Sequence, residues 1–146
     1  MRRLMAEDIR QIRPFEGIGA MLRSLSDKGV ALAVVTSNAY DNVRHVLGVE
    51  HAALISYYEC GTSLFGKRGK LRSVMTKSNV RPGEAIFIGD EIRDIEAAKA
   101  QRVPFGAVAW GYTHVEALKA YSPAEVLADV GEVVEKVALR RLPYER

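Results

Sequence analysis

The sequence contains little that would support disulfide, thiolate-metal or histidine-metal chemistry. Cys60 is the only cysteine in 146 residues, so no disulfide can form within the chain and thiolates cannot build a metal site. His45, His51 and His114 lack the spacing of paired histidine ligands such as His-x-x-x-His. The Gly-x-Ser-x-Gly motif of many hydrolases is also absent. These absences exclude several common kinds of active site.

Long apolar runs and dense basic blocks are missing as well. Residues 1–13 hold no continuous apolar segment of the kind that forms a signal peptide or a membrane span. A cytoplasmic protein that does not bind membranes is therefore expected. The net charge is +3, but no block of Lys and Arg is interleaved with aromatic residues, so nucleic acid is not an expected partner. A hydrophobic content of 48% instead indicates one globular domain with a sizeable core.

Strand-like and helix-like patterns alternate along the chain. The apolar runs at 30–35 and 85–88 are continuous, which is typical of strands that are buried on both faces of a parallel sheet. Shorter strands are predicted over 105–110 and near 125–127, and apolar residues at helical spacing predict helices between the strands. The sequence therefore predicts an α/β fold, a doubly wound parallel sheet in three layers.

Paired carboxylates follow the second apolar run. Gly89-Asp90 ends the run, and Asp94 comes one helical turn later. Two acids at the carboxyl end of a buried strand suit a hard cation such as Mg²⁺, which takes carboxylates together with phosphate oxygens and water. The alternative is that Asp90 simply caps the following helix.

Polar residues that could bind phosphate occur after the first apolar run and in a basic loop. Thr36, Ser37 and Asn38 could bind an anion through hydroxyl and N–H groups at a helix start, or they could be ordinary caps. Lys67 lies in a Gly-flanked loop, where a cation could offset charge on a nucleophile and on a transferring phosphoryl group. A solvated lysine is the alternative, and Lys70 is a rival for the same role.

The order hydroxyl, lysine, paired acids resembles that of the haloacid dehalogenase-like (HAD) phosphohydrolases, in particular their phosphoglycolate-phosphatase-like members. The segments 13–17 and 107–112 match these proteins as well, and the resemblance runs from about Ile12 to the end of the chain. It implies a Mg²⁺-dependent phosphatase that acts on a small phosphorylated metabolite. It also implies a covalent route through an aspartyl phosphate.

The resemblance implies roles for the residues at the first strand and in the basic loop. Thr36 and Lys67 are the expected catalytic residues: Thr36 would bind the phosphoryl oxygens, and Lys67 would offset their charge. Ser37 and Asn38 would complete the phosphate site. The choice of Lys67 over Lys70 follows the family, whose lysine immediately precedes a helix.

By the same resemblance, Asp90 would ligate Mg²⁺ with Asp94 supporting it. The family's chain opens with a strand that ends in Asp-x-Asp, whose first aspartate attacks phosphorus. No Asp-x-Asp occurs in this sequence. Asp8 and Asp27 are not expected at strand ends, so neither is expected to replace the nucleophile.

The family's first strand lies in the middle of its sheet, and it is expected to be missing here. Residues 1–13 are then a remnant of a cap-domain helix, and residues 14–146 are the core domain. Two apolar strand edges would be exposed, so self-association through them is expected. A mis-assigned start or truncation is the favoured explanation. A remnant pseudoenzyme and completion by another polypeptide are the alternatives.

The sequence thus predicts a phosphatase core that is inactive alone because it lacks its nucleophile. The alternative function belongs to another class, a non-catalytic module that binds a phosphorylated ligand or another protein. Turnover of phosphate esters by the chain would support the first function. Binding of phosphate or Mg²⁺ without turnover would fit the second, and a truncated enzyme would show it as well.

Overall fold

Six parallel strands form one sheet in the computed structural model, which describes residues 3–7, 17–110 and 115–139. The strand order is β3-β2-β1-β4-β5-β6, and every neighbouring pair is parallel. The strands are β1 Arg3–Glu7, β2 Val30–Val35, β3 Tyr57–Glu59, β4 Ala85–Gly89, β5 Phe105–Val108 and β6 Glu125–Leu127.

Helices cover both faces of this sheet. They are α1 Ile18–Asp27, α2 Tyr40–Leu47, α3 Val49–Ala52, α4 Gly66–Ser78, α5 Ile92–Ala100, α6 Val115–Lys119 and α7 Val130–Leu139. Helices α1 and α7 pack together on one face, whereas α4 and α5 pack together on the other. The predicted three-layer, doubly wound architecture is confirmed. Within the described residues, no helix is long and apolar enough to cross a membrane.

The two continuous apolar runs form buried strands, as predicted. Every residue of β4 is buried, and in β2 only Ala31 is partly exposed. Alternate side chains of the sheet point to opposite layers, so each strand contributes to two apolar clusters. Phe87 of β4 packs edge to face on Phe105 of β5, with ring centroids 5.9 Å apart. Burial on both faces explains why these strands show no polar alternation.

The centre of the sheet is occupied by β1. Its residue Met5 is in register with Leu32 of β2 and with Ile86 of β4. Met5 packs in the layer of α1 and α7, and Leu4 and Ala6 pack in the layer of α4 and α5. The first strand in the chain therefore joins the two halves of the sheet.

Two predictions about the N-terminus are thereby corrected. The sheet does not lack its central strand, and residues 3–7 form a strand rather than a remnant of a cap-domain helix. Residues 8–13, which the same prediction covered, lie outside the described residues. The physical reason is that β2 and β4 each present a row of backbone N–H and C=O groups that must be paired when buried. A short segment with three central apolar residues is sufficient to pair both rows.

The position of β1 also changes the expectation for Asp8. The strand ends at Glu7, so Asp8 follows the end of the central strand in the sequence, although Asp8 itself is outside the described residues. Asp27 ends α1 and is not at a strand end, as expected. The strand edges through which self-association was predicted are both paired by β1.

Candidate functional site

Two buried polar residues follow the strands on either side of β1. Thr36 follows β2 and Asp90 follows β4, and both residues are buried. Because neighbouring strands lie roughly 4.8 Å apart, the ends of β2 and β4 are about 10 Å apart across the end of β1. The carboxyl edge of the sheet thus brings together a hydroxyl group and a carboxylate that are distant in the sequence.

The loop after β2 is held by hydrogen bonds rather than by helix capping. The Asn38 N–H donates to Thr36 Oγ1 at 3.2 Å, and the Thr36 N–H donates to the Glu59 carbonyl at 3.0 Å. The Gly61 N–H donates to the Asn38 carbonyl at 2.8 Å. The N-cap of α2 is Ala39, and no side chain caps this helix. Capping, the alternative role for residues 36–38, is therefore not what these residues do in α2.

Lys67 lies in the first turn of α4 and contacts the acids that follow β4. Its Nζ is 2.5 Å from Asp94 Oδ1 and 3.9 Å from Glu91 Oε1, and its side chain is buried. The helix begins at Gly66, so Lys67 lies in a helix and not in the predicted loop. The contact with Asp94 brings the basic loop and the acidic segment to one place.

Lys70, the rival lysine, is also buried but acts on a different group. Burial and the charge of Glu59 raise the pKa of the Cys60 thiol to about 11, and the positive charge of the buried Lys70 partly opposes this rise. Lys67 therefore has a short contact with the β4 acids, and Lys70 lies where its charge reaches Cys60. This geometry favours Lys67 as the site lysine.

Asp94 organises the segment that follows β4. Its carboxylate is fully buried, and Oδ1 accepts from Lys67. Its Oδ2 accepts the backbone N–H of Asp90 at 3.3 Å and that of Glu91 at 3.2 Å. Glu91 is the N-cap of α5, so capping by Asp90 is not how this helix begins. The sequence analysis identified Asp94 as a candidate site residue but did not identify Glu91, which lies near Lys67. The position of Glu91 between Asp90 and Asp94 in the sequence was the signal that could have indicated it.

Comparison with known proteins identifies the family of this chain. Residues 1–108 match the family described as haloacid dehalogenase-like hydrolase. The chain belongs to the haloacid dehalogenase-like family. A solved structure of a predicted phosphatase from Clostridium acetobutylicum has 30% identity and a TM-score of 0.74, over 84% of this chain and 59% of that one.

Curated relatives from this comparison are longer than the chain. The phosphoglycolate phosphatase of Synechococcus elongatus is 25% identical over 138 residues, which are 94% of this chain and 65% of that protein. The tyrosine-protein kinase PtkA of Mycobacterium tuberculosis is 33% identical over 104 residues, 67% of this chain and 35% of that protein. The chain thus spans less than two thirds of the length of these relatives.

The residues at this haloacid dehalogenase-like site fit a magnesium ion only in part. Mg²⁺ is usually held by one or two carboxylates together with phosphate oxygens and water. Asp90 supplies one such carboxylate, whereas the oxygens of Asp94 already accept from Lys67 and from backbone N–H groups. Among the described residues, no group of three or more His, Cys, Asp or Glu could hold a metal ion. These residues alone therefore offer Mg²⁺ few protein ligands.

A methyl group at Gly89 is expected to disturb this site. A Cβ at Gly89 would lie 2.6 Å from Asp94 Oδ2 and 2.9 Å from Asp94 Cβ, closer than atoms can pack. Because the Asp94 side chain is held on both oxygens, Gly89→Ala should lower the free energy of unfolding by about 1–3 kcal/mol. Urea denaturation measures this change. Gly83→Ala is the matched control, since a Cβ at Gly83 meets no atom within 4 Å. Equal stability of the two variants would contradict the close packing at Gly89.

Proposed function

We propose that this chain carries the phosphoryl-binding core of a Mg²⁺-dependent phosphatase that acts on a small phosphorylated metabolite. The observation that carries the proposal is the buried contact between Lys67 and Asp94, next to Asp90 at the carboxyl edge of the sheet. A buried lysine among carboxylates provides a cation for a charged ligand at the place where parallel sheets bind ligands. Family membership and the names of the relatives support the same function.

In this proposal each residue performs a simple task on a phosphate group. The Thr36 hydroxyl donates a hydrogen bond to a phosphoryl oxygen, and Ser37 and Asn38 contact the other oxygens. Ser37 does so through its N–H and Asn38 through its side-chain amide, because the Asn38 N–H is donated to Thr36 Oγ1. The Lys67 ammonium offsets their charge. Asp90 would hold Mg²⁺, and Asp94 supports it by fixing the Asp90 backbone and Lys67. When bound, Mg²⁺ would polarise a phosphoryl oxygen.

A second function is favoured by one specific observation. The sequence has no Asp-x-Asp, and the resemblance gives no other residue the role of attacking phosphorus. A site that positions and neutralises phosphate without a nucleophile would bind a phosphorylated ligand and leave it intact. Binding without hydrolysis fits this non-catalytic function and also a phosphatase core that lacks its nucleophile, whereas turnover would contradict the non-catalytic function.

Binding of inorganic phosphate tests the site without requiring turnover. Calorimetry in the presence of Mg²⁺ should show binding by the wild-type chain and about 10–100-fold weaker binding by Lys67→Met. The reason is that a hydrogen bond to a charged group contributes about 1.5–3 kcal/mol. Lys77→Met is the matched control, because Lys77 lies on the same helix and pairs with Glu59 on the surface. Equal affinity of Lys67→Met and wild type would contradict the proposed site.

Titration with Mg²⁺ tests the role of Asp90 separately. Affinity should be weak without phosphate, because the arrangement offers the ion few protein ligands. Asp90→Asn should weaken Mg²⁺ binding further, both with and without phosphate. Glu96→Gln is the control, since Glu96 is an exposed acid on α5. If Asp90→Asn and the wild-type chain bind Mg²⁺ equally, Asp90 is not a ligand.

A further inference from the structure

Two large apolar side chains are fully presented to solvent in the turn before α4. Leu64 is 99% exposed and Phe65 is 78% exposed. The turn is held by hydrogen bonds: the Phe65 N–H donates to Ser63 Oγ at 3.2 Å, and the Gly66 N–H donates to the Ser63 carbonyl at 3.3 Å. This pair, called the apolar turn below, is therefore held outward by local structure. Adjacent exposed residues of this size are a frequent mark of an interaction surface.

The surface next to the apolar turn is basic. Arg68 and Arg72 are exposed one helical turn apart on α4, and neither makes a hydrogen bond or an ion pair with another described residue. The sequence has no Asp or Glu between Glu59 and Glu84. A partner for the apolar turn should therefore combine an apolar cavity with negative charge.

A groove with these properties lies between α1 and α7. Its volume is about 660 Å³, and Met21, Trp110, Val130 and Val134 provide much of its apolar lining. This volume lies within the range of natural binding pockets, which is roughly 300–1,000 Å³. The groove is thus large enough to take apolar side chains.

Two exposed acidic residues lie on the α7 side of this groove. Asp129 lines the groove and is exposed. Glu135 is also exposed, and it lies one helical turn after Gly131, which is another lining residue on α7. The groove therefore complements the apolar turn in both polarity and charge.

One chain cannot bring these two surfaces together. The apolar turn precedes α4, which covers one face of the sheet with α5, whereas the groove lies between α1 and α7 on the other face. We propose that the groove binds the apolar turn of a second copy of this chain, with Arg68 and Arg72 facing Asp129 and Glu135. Such an interface is heterologous, because its two sides are different surfaces. This inference does not depend on the proposed phosphatase function.

Sedimentation velocity of the full chain tests the proposal. The wild-type chain should form larger species as its concentration rises, and added salt should weaken their formation because charges contribute to the interface. The double variant Leu64→Ser/Phe65→Ser and the groove variant Ala20→Trp should each be monomeric. Ala20 lines the groove and is exposed, so a tryptophan there fills the groove without entering the core.

Mixing the two variants gives the sharpest result. An equimolar mixture should form a dimer and nothing larger, because it retains one intact groove and one intact apolar turn. Val49→Ser is the matched control: Val49 is 82% exposed in α3 and belongs to neither surface, so its variant should associate like wild type. Circular dichroism checks that each variant is folded. If the serine variant does not fold, Arg68→Glu/Arg72→Glu replaces it, and it too should be monomeric.

Three outcomes would overturn the proposal. The first is a wild-type chain that stays monomeric up to the concentrations at which weak protein interfaces assemble. That result would show that the apolar turn does not bind a second copy of this chain. The second is association that persists in the single-surface variants. The third is a mixture that remains monomeric although each variant is folded.

Discussion

The purified chain, assayed with small phosphate esters and Mg²⁺, is expected to release no phosphate above the uncatalysed background. Uncatalysed hydrolysis of phosphate monoesters is among the slowest reactions known, and enzymes accelerate it by up to about 10²¹-fold. Thr36, Lys67 and Asp90 can position a phosphate and offset its charge, but none of them offers an attacking oxygen suited to a covalent route. Without Asp-x-Asp, most of this barrier should remain.

Two variants decide what any observed turnover would mean. Turnover that disappears in Asp90→Asn would show that the site is catalytic and would contradict the prediction. If turnover also disappears in the separate variant Asp8→Asn, Asp8 becomes a candidate nucleophile, because it follows the central strand in the sequence. Turnover that is unchanged in Asp90→Asn would instead indicate a contaminating phosphatase.

Replacing Asp94 with alanine should cause a large loss of stability. The variant would leave the buried Lys67 ammonium without the carboxylate 2.5 Å away, and it would remove the acceptor of two backbone N–H groups. Removing one partner of a buried ion pair typically costs about 3–5 kcal/mol, a large share of the usual 5–15 kcal/mol of domain stability. Urea denaturation of Asp94→Ala at neutral pH measures this loss.

Two further variants separate the contributions of charge and hydrogen bonding. Asp94→Asn keeps an oxygen that can accept the backbone N–H groups, so it should lose less stability than Asp94→Ala. The double variant Lys67→Met/Asp94→Leu replaces the pair with apolar groups and should recover much of the loss. If the double variant is no more stable than Asp94→Ala, the buried ammonium is not the source of the cost.

The sheet could be predicted largely because β2 and β4 are buried on both faces. Their continuous apolar sequences distinguish them from half-exposed strands. A glycine at the end of the preceding helix marks where a strand can begin. Gly29, for example, has φ +80° directly before β2. These signals are local, and local signals were sufficient for β2, β4, β5 and β6 and for the described helices other than the short α3.

β1 could not be predicted because its own sequence does not favour a strand. Three consecutive apolar residues between Arg3 and Glu7 are too short a run to distinguish a strand from a segment of a buried helix. The segment becomes a strand because β2 and β4 pair with both of its edges, which is a tertiary effect. Reasoning from the missing Asp-x-Asp correctly identified a missing motif but wrongly extended that absence to the strand.

The candidate site could likewise be predicted only in part: its residues could be identified from the sequence, but their contacts could not. Chain order and residue type identified Thr36, Lys67 and Asp90 as candidates. The contact between Lys67 and Asp94 joins residues 27 positions apart, and no local pattern specifies it. The groove between α1 and α7 could not be predicted either, because its residues come from three separate parts of the chain.

The central position of β1 has a consequence for the order of folding. Of the described strands, β1 is synthesised first, its partner β2 follows some 25 residues later, and its other partner β4 begins only at residue 85. Until then one apolar edge of β1 has no partner, and long-range parallel pairing is intrinsically slow. We expect the nascent chain to depend on chaperones during this interval, since an open strand edge recruits other chains. The segment that joins the two halves of the sheet is thus also the one that waits longest for its second neighbour.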